Sequence, residues 1–181
     1  MAKISVAVFI ALVDIKDNAG DTFHDNAEMI ADKIDRNLFE RYGDVQAFAL
    51  NRVIHDRDYW YNNGEENALV ETMNQYVSTY GIYSLTVLVD TKGKVIAVNS
   101  KDAGGSAVNS SFLYKKDFSS ELWFKSLSAG QYTTRMAHTA PGNDVSSGTY
   151  IEDINIDDDV TTAYNGSDGL TIGFSAPVYQ D

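Results

Sequence analysis

No cysteine occurs in the 181 residues, which excludes disulfides, thiolate nucleophiles and thiolate metal ligands and leaves the redox compartment open. Proline appears only twice, as Pro141 in a turn and Pro177 near the end of the last apolar run. Positive charge is scarce as well. Fourteen Lys and Arg stand against 26 Asp and Glu, a formal charge of −12, and a chain of that sign offers no field to a phosphate backbone. Nucleic acid is therefore not an expected partner. No apolar run reaches the roughly 20 residues of a membrane-spanning helix; Ile4 to Val13 ends at Asp14, Lys16 and Asp17.

Signatures of chemistry are missing too. His24, His55 and His138 lie far apart, without the His-x-x-x-His spacing of a zinc site. There is no Gly-x-Ser-x-Gly elbow and no glycine-rich phosphate loop. The acidic stretch with Asp153, Asp157, Asp158 and Asp159 lacks the glycine and terminal glutamate of a calcium hand and reads as a solvated loop. Neither catalysis nor a metal or cofactor is expected.

What is present points to one sizeable core, with 44% hydrophobic residues arranged in periodic runs. Phe23, Ala27, Ile30, Ile34, Leu38, Tyr42, Val45 and Ala49 recur at three- and four-residue spacing, which predicts a long amphipathic helix with charge on its other faces. Its length exceeds what one small core needs, so pairing with a second copy is an expectation. A second helix is predicted from Glu65 to Tyr80, closed by Gly81. Two alternating runs around Asp90-Thr91-Lys92-Gly93 predict an antiparallel hairpin from Tyr83 to Asn99, with Gly93 at positive φ. A short helical region follows from Lys116 to Ala129, then strands at Tyr132 to Met136 and Thr149 to Ile154 around the Pro141 to Asp144 turn. Leu170 to Tyr179 reads as a near-central strand. Ile4 to Val13 is read either as a further strand, with Ile4, Val6, Val8, Ile10 and Leu12 on one face, or as a remnant of a membrane-proximal helix; the strand is preferred.

The order of these elements resembles the Cache family, the extracytoplasmic sensor domains of chemotaxis receptors and sensor histidine kinases. The resemblance is carried by Leu85 to Asn99, by Lys116-Asp117-Phe118-Ser119-Ser120-Glu121-Leu122-Trp123-Phe124 and by Ser175-Ala176-Pro177-Val178-Tyr179. It implies an α+β, PAS-like domain over residues 1–181, with an antiparallel sheet of five to six strands and two N-terminal helices. It also implies a periplasmic sensor, anchored through its parent receptor, that binds a small molecule on the concave sheet face. The implied ligand-contacting residues are Trp123, Phe124, Glu121, Arg135, His138, Tyr132, Tyr59 and Trp60. Amino-acid-binding members carry arginine two residues before the tryptophan, where this chain has Glu121; an amine, an organic acid gripped by Arg135 or a small aromatic is then the expected ligand. The competing expectation is a structural or interaction module without a working pocket.

Overall fold

A computed structural model describes residues 2–64, 66–133, 138–139 and 146–179. The chain forms two compact units, Met1–Arg41 and Tyr42–Asp181. One helix, α1 (Ala2–Ala49), supplies the first and begins the second. Ile4 to Val13 is thus helical, which corrects the preferred strand reading. Where every residue is apolar, a two-residue alternation carries no information against a helix. Among the described residues no helix is long and apolar enough to cross a membrane.

In the second unit, the start of the chain is tied to a distant segment. Tyr42 is buried, and its carbonyl accepts a hydrogen bond from the Thr149 hydroxyl at 2.8 Å. Gln46 Nε2 donates to the same hydroxyl at 3.1 Å. Phe48 stacks on Tyr76 with ring centroids 4.0 Å apart, and Tyr83 donates to Asp44 at 2.7 Å. The second helix, α2 (Ala68–Tyr80), starts one residue after its cap: the Asn67 side chain accepts from Leu69 N and Val70 N, leaving Glu66 outside. Gly81 ends it at φ 69°, as the sequence predicted.

The hairpin forms as expected. β1 (Val87–Val89) pairs antiparallel with β2 (Val95–Val98), with a register shift at Leu88/Val89. In the turn the Asp90 carboxylate accepts from Lys92 N and Lys94 N at 2.8 and 2.9 Å. All four β2 residues are buried. Ile96 and Ala97 join Ile54, Leu69, Val70 and Met73 in one cluster, while Val95 and Val98 join Leu113 and Phe118 in another. The loop before α2 is clamped onto the hairpin by Tyr61, which adopts φ 58°. Its amide donates to the Ile96 carbonyl at 2.9 Å and its hydroxyl to Asp90 at 2.7 Å.

Beyond the hairpin the expected architecture fails. α3 (Leu122–Ser128) is shorter than the segment read as helical. β3 (His138–Thr139) pairs only with β4 (Ser146–Ser147). β5 (Tyr150–Ile151) pairs with β8 (Phe174–Ser175), and β6 (Asn155–Ile156) pairs with β7 (Leu170–Thr171). Every sheet among the described residues is two-stranded. The single PAS-like sheet of five to six strands is therefore absent, and the Cache assignment is corrected with it. Two local causes are visible. The edge of β2 away from β1 is already engaged by the loop before α2, since the Ile96 carbonyl accepts from Tyr61 N at 2.9 Å. The Leu170 to Tyr179 run is split because the register changes by one residue around Gly173, whose carbonyl accepts from Glu152 N at 2.9 Å.

The acidic stretch is likewise not a loop. It holds β6 and the start of α4 (Asp158–Ala163), whose cap Asp157 accepts from Asp159 N and Val160 N. Three consecutive acids suit a helix start, where unpaired amides carry partial positive charge.

Candidate interaction surfaces

With no multistranded concave sheet face among the described residues, the floor expected beneath a sensor's ligand is missing, and the small-molecule sensor role is corrected on that ground. The side chains proposed to line it fall into separate places. Tyr59 and Trp60 pack on the cluster built from Ile54, Leu69 and Met73; Trp60 Nε1 donates to the Ile54 carbonyl at 2.9 Å, and the Arg57 guanidinium lies 5.1 Å from the Trp60 ring. Trp123 packs on the other cluster, 5.7 Å from Phe118 and 5.8 Å from Phe124 between centroids. Glu121 stands at the N-terminal boundary of α3 without a side-chain capping bond, and lies 3.9 Å from Lys116 Nζ, which also pairs with Asp159. The Tyr132 hydroxyl sits 3.2 Å from that of Tyr179. Burial and this hydroxyl neighbour push Tyr179 up to about 12. Arg135 lies outside the described residues, and of His138 only the backbone, in β3, is described.

Two other surfaces stand out because apolar side chains face solvent in groups. The first lies on α1, where every residue from Lys16 to Asn37 is exposed. At 3.6 residues per turn, Phe23, Ala27, Ile30 and Ile34 fall within about 60° of arc. Asp21, Asp25, Glu28, Asp32 and Asp35 fall within about 80° on the opposite side. Phe23 is 75% exposed, Ile30 60% and Ile34 55%. A shallow hollow lined by Ile30, Lys33, Ile34, Asn37 and Leu38 continues the stripe. The four-three-four spacing from Phe23 to Ile34 is that of a helix-pairing seam, and the sequence showed it plainly.

The second surface lies on the β6–β7 ribbon. Ile156 and Leu170 are paired across the ladder, so their side chains share a face. Ile154 and Ile172 lie two residues away along the chain, just outside the paired residues. All four are exposed, Ile156 at 68%. Acids stand at both ends: exposed Asp153 beside Ile154, exposed Asp158 in the first turn of α4, and Asp168, whose carboxylate accepts from Leu170 N at 3.1 Å. From Met136 to Asp181 there is no Lys or Arg. That sequence signal was available but lay across a boundary between expected elements.

Glu152, beside this ribbon, is partly buried near Asp157 and Glu121, and burial followed by those two negative charges raises its pKa. Among the described residues no group of His, Cys, Asp and Glu is arranged to hold a metal ion. Comparisons with protein-family models, with curated proteins and with solved structures found no match.

Proposed function

We propose that this chain is a non-catalytic interaction module that self-associates through α1. The observation that carries the reading is the exposed stripe of Phe23, Ala27, Ile30 and Ile34, with acids confined to the opposite face. A lone helix in water gains little from its own hydrogen bonds, and helices of globular proteins owe most of their stability to burying an apolar face. A second copy of the same helix supplies that burial without bringing acid against acid. Burying three half-exposed side chains from each copy yields a gross gain of roughly 6–12 kcal/mol, against an association cost of about 4–15 kcal/mol. The dimer is accordingly weak and concentration-dependent.

An extracytoplasmic placement belongs to the same proposal. The continuity of the apolar Ile4 to Val13 run with α1 supports a membrane-proximal helix leading to the Tyr42–Asp181 unit. Because the chain has no cysteine, an Asn165→Cys variant at an exposed position tests this cleanly. A membrane-impermeant maleimide should label it in intact cells; labelling only after lysis would reject the placement.

Self-association is tested by sedimentation equilibrium over a wide concentration range, with Ile30→Asp as the comparison. Reversible dimerisation that Ile30→Asp abolishes, with unchanged near-ultraviolet circular dichroism, whose Trp and Tyr signals all arise within Tyr42–Asp181, is the expected result. A monomer at every concentration would remove the proposal.

A further inference from the structure

We infer that the β6–β7 ribbon is a docking surface for a cationic amphipathic helix of another protein. Four exposed aliphatic side chains, Ile154, Ile156, Leu170 and Ile172, lie on or next to a two-stranded ribbon, and Ile156 and Leu170 share one of its faces. Scattered exposed apolar residues are ordinary, but a contiguous group rimmed by polar residues marks an interaction site. The ribbon is two strands wide, a width set by the roughly 4.8 Å strand spacing, and this suits the apolar stripe of a single helix of about 10 Å diameter.

Charge decides among the occupants. Asp153 precedes Ile154 at one end of the ribbon, and Asp158 and Asp168 lie two residues from Ile156 and Leu170 at the other. The 46 residues from Met136 to Asp181 contain eight Asp and Glu and no Lys or Arg. A second copy of this face would bring acid against acid, and an anionic lipid surface would be repelled in the same way. A helix with Lys or Arg bordering its apolar stripe meets both requirements at once. Its long basic side chains lay their methylene stems along the apolar surface while their charged ends reach the rim acids. Apolar burial then supplies most of the affinity, and the acids supply selection and speed of encounter.

The test uses the full chain and a fluorescein-labelled peptide of Leu and Lys arranged in helical periodicity, with a Leu and Glu peptide of the same pattern as control. Fluorescence anisotropy should show saturable binding of the basic peptide and none of the acidic one. Ile156→Asp should weaken binding at least tenfold; because Ile156 is already exposed, the change leaves the fold intact, as circular dichroism will verify. The triple change Asp153→Asn, Asp158→Asn, Asp168→Asn should weaken binding several-fold and flatten its dependence on salt. Ile30→Asp, on α1, should leave peptide affinity unchanged, which separates this surface from the self-association seam. Equal binding of both peptides, or an affinity that ignores Ile156→Asp, would overturn the inference. So would loss of self-association in Ile156→Asp, since it would assign the face to a second copy.

Discussion

Gly93 and Gly81 offer a paired test of how the hairpin is held. Both have positive φ, 82° and 69°, so replacing either by alanine incurs the left-handed backbone penalty, roughly 1–2 kcal/mol. Their surroundings differ. A Cβ at Gly81 would meet nothing within 4 Å, whereas at Gly93 it would lie 2.3 Å from Ser119 N, 2.8 Å from Ser119 Cα and 2.9 Å from Asp117 Oδ1. Two of these are backbone atoms that a rotamer change cannot move. Relief requires shifting the 117–119 segment, which loosens the 2.8 Å bond from Phe118 N to the Gly93 carbonyl and partly unseats Phe118 from its cluster. The lost bond is worth about 1 kcal/mol, and imperfect packing of a buried aromatic adds roughly 1–3 kcal/mol. Gly93→Ala should therefore cost about 3–6 kcal/mol in all, and Gly81→Ala only the roughly 1–2 kcal/mol of backbone strain. Urea unfolding followed by tryptophan fluorescence measures both, since Trp123 packs on Phe118. Equal losses at the two positions would refute the claim that the hairpin turn is braced by the 117–119 segment.

Glu152→Gln should stabilise the protein at pH 7 and have little effect at pH 4. Its folded pKa is raised, so the fold resists its ionisation; that cost is present above the folded pKa and vanishes as pH falls below the ordinary value of 4.5. Thermal melts at both pH values read the difference, and a variant less stable at pH 7 would contradict the sign. Asn99→Ala should cost about 2–4 kcal/mol, because the fully buried amide donates to the Ser84 and Lys101 carbonyls and accepts from Thr86 N. Chemical denaturation checks this, and a loss below about 1 kcal/mol would mean that those backbone groups find other partners. Asn67→Ala removes the α2 cap and the bonds from its side chain to the Tyr59 and Asn62 carbonyls, and should cost about 2 kcal/mol or more. Asn67→Asp keeps the cap but sets a buried carboxylate oxygen against those two carbonyls, so at pH 7 it should be no milder than the alanine change, as chemical denaturation of both will show.

The parts of this fold readable in the sequence are those whose signals are local. Asp90 to Gly93 fixes a turn through its own backbone requirements, and Gly81 ends α2 for the same reason. The α1 stripe is equally legible, since helical periodicity is a property of one segment. Strand partners are not local. The alternation in Leu170 to Tyr179 is compatible with a central strand, yet pairing splits at Gly173 into two short ladders because of a register change made with the 150–156 segment. Helix α4 was hidden because its apolar residues, Val160 and Ala163, make only one turn's worth of pattern behind three acids. The resemblance placed its ligand residues on one sheet that does not form among the described residues, so Tyr59 and Trp60 pack on one core cluster and Trp123 on the other. In the acidic ribbon the apolar residues and the charges come from two segments, 153–158 and 168–172, that only the pairing brings together.

The hydrogen bond between the Thr149 hydroxyl and the Tyr42 carbonyl joins residues 107 apart in sequence. At a synthesis rate of about 5–20 residues per second, roughly 5–20 s separate the emergence of one partner from the other. Tyr76, which stacks on Phe48, arrives far sooner. During translation the C-terminal end of α1 can therefore dock on α2 early, while Thr149, which adds its hydroxyl to the Tyr42 carbonyl and the Gln46 amide, arrives last. A chain stopped before Thr149 would carry the Phe48–Tyr76 stack yet lack the hydrogen bonds that Thr149 shares with Tyr42 and Gln46, so the end of α1 would be held from the α2 side alone.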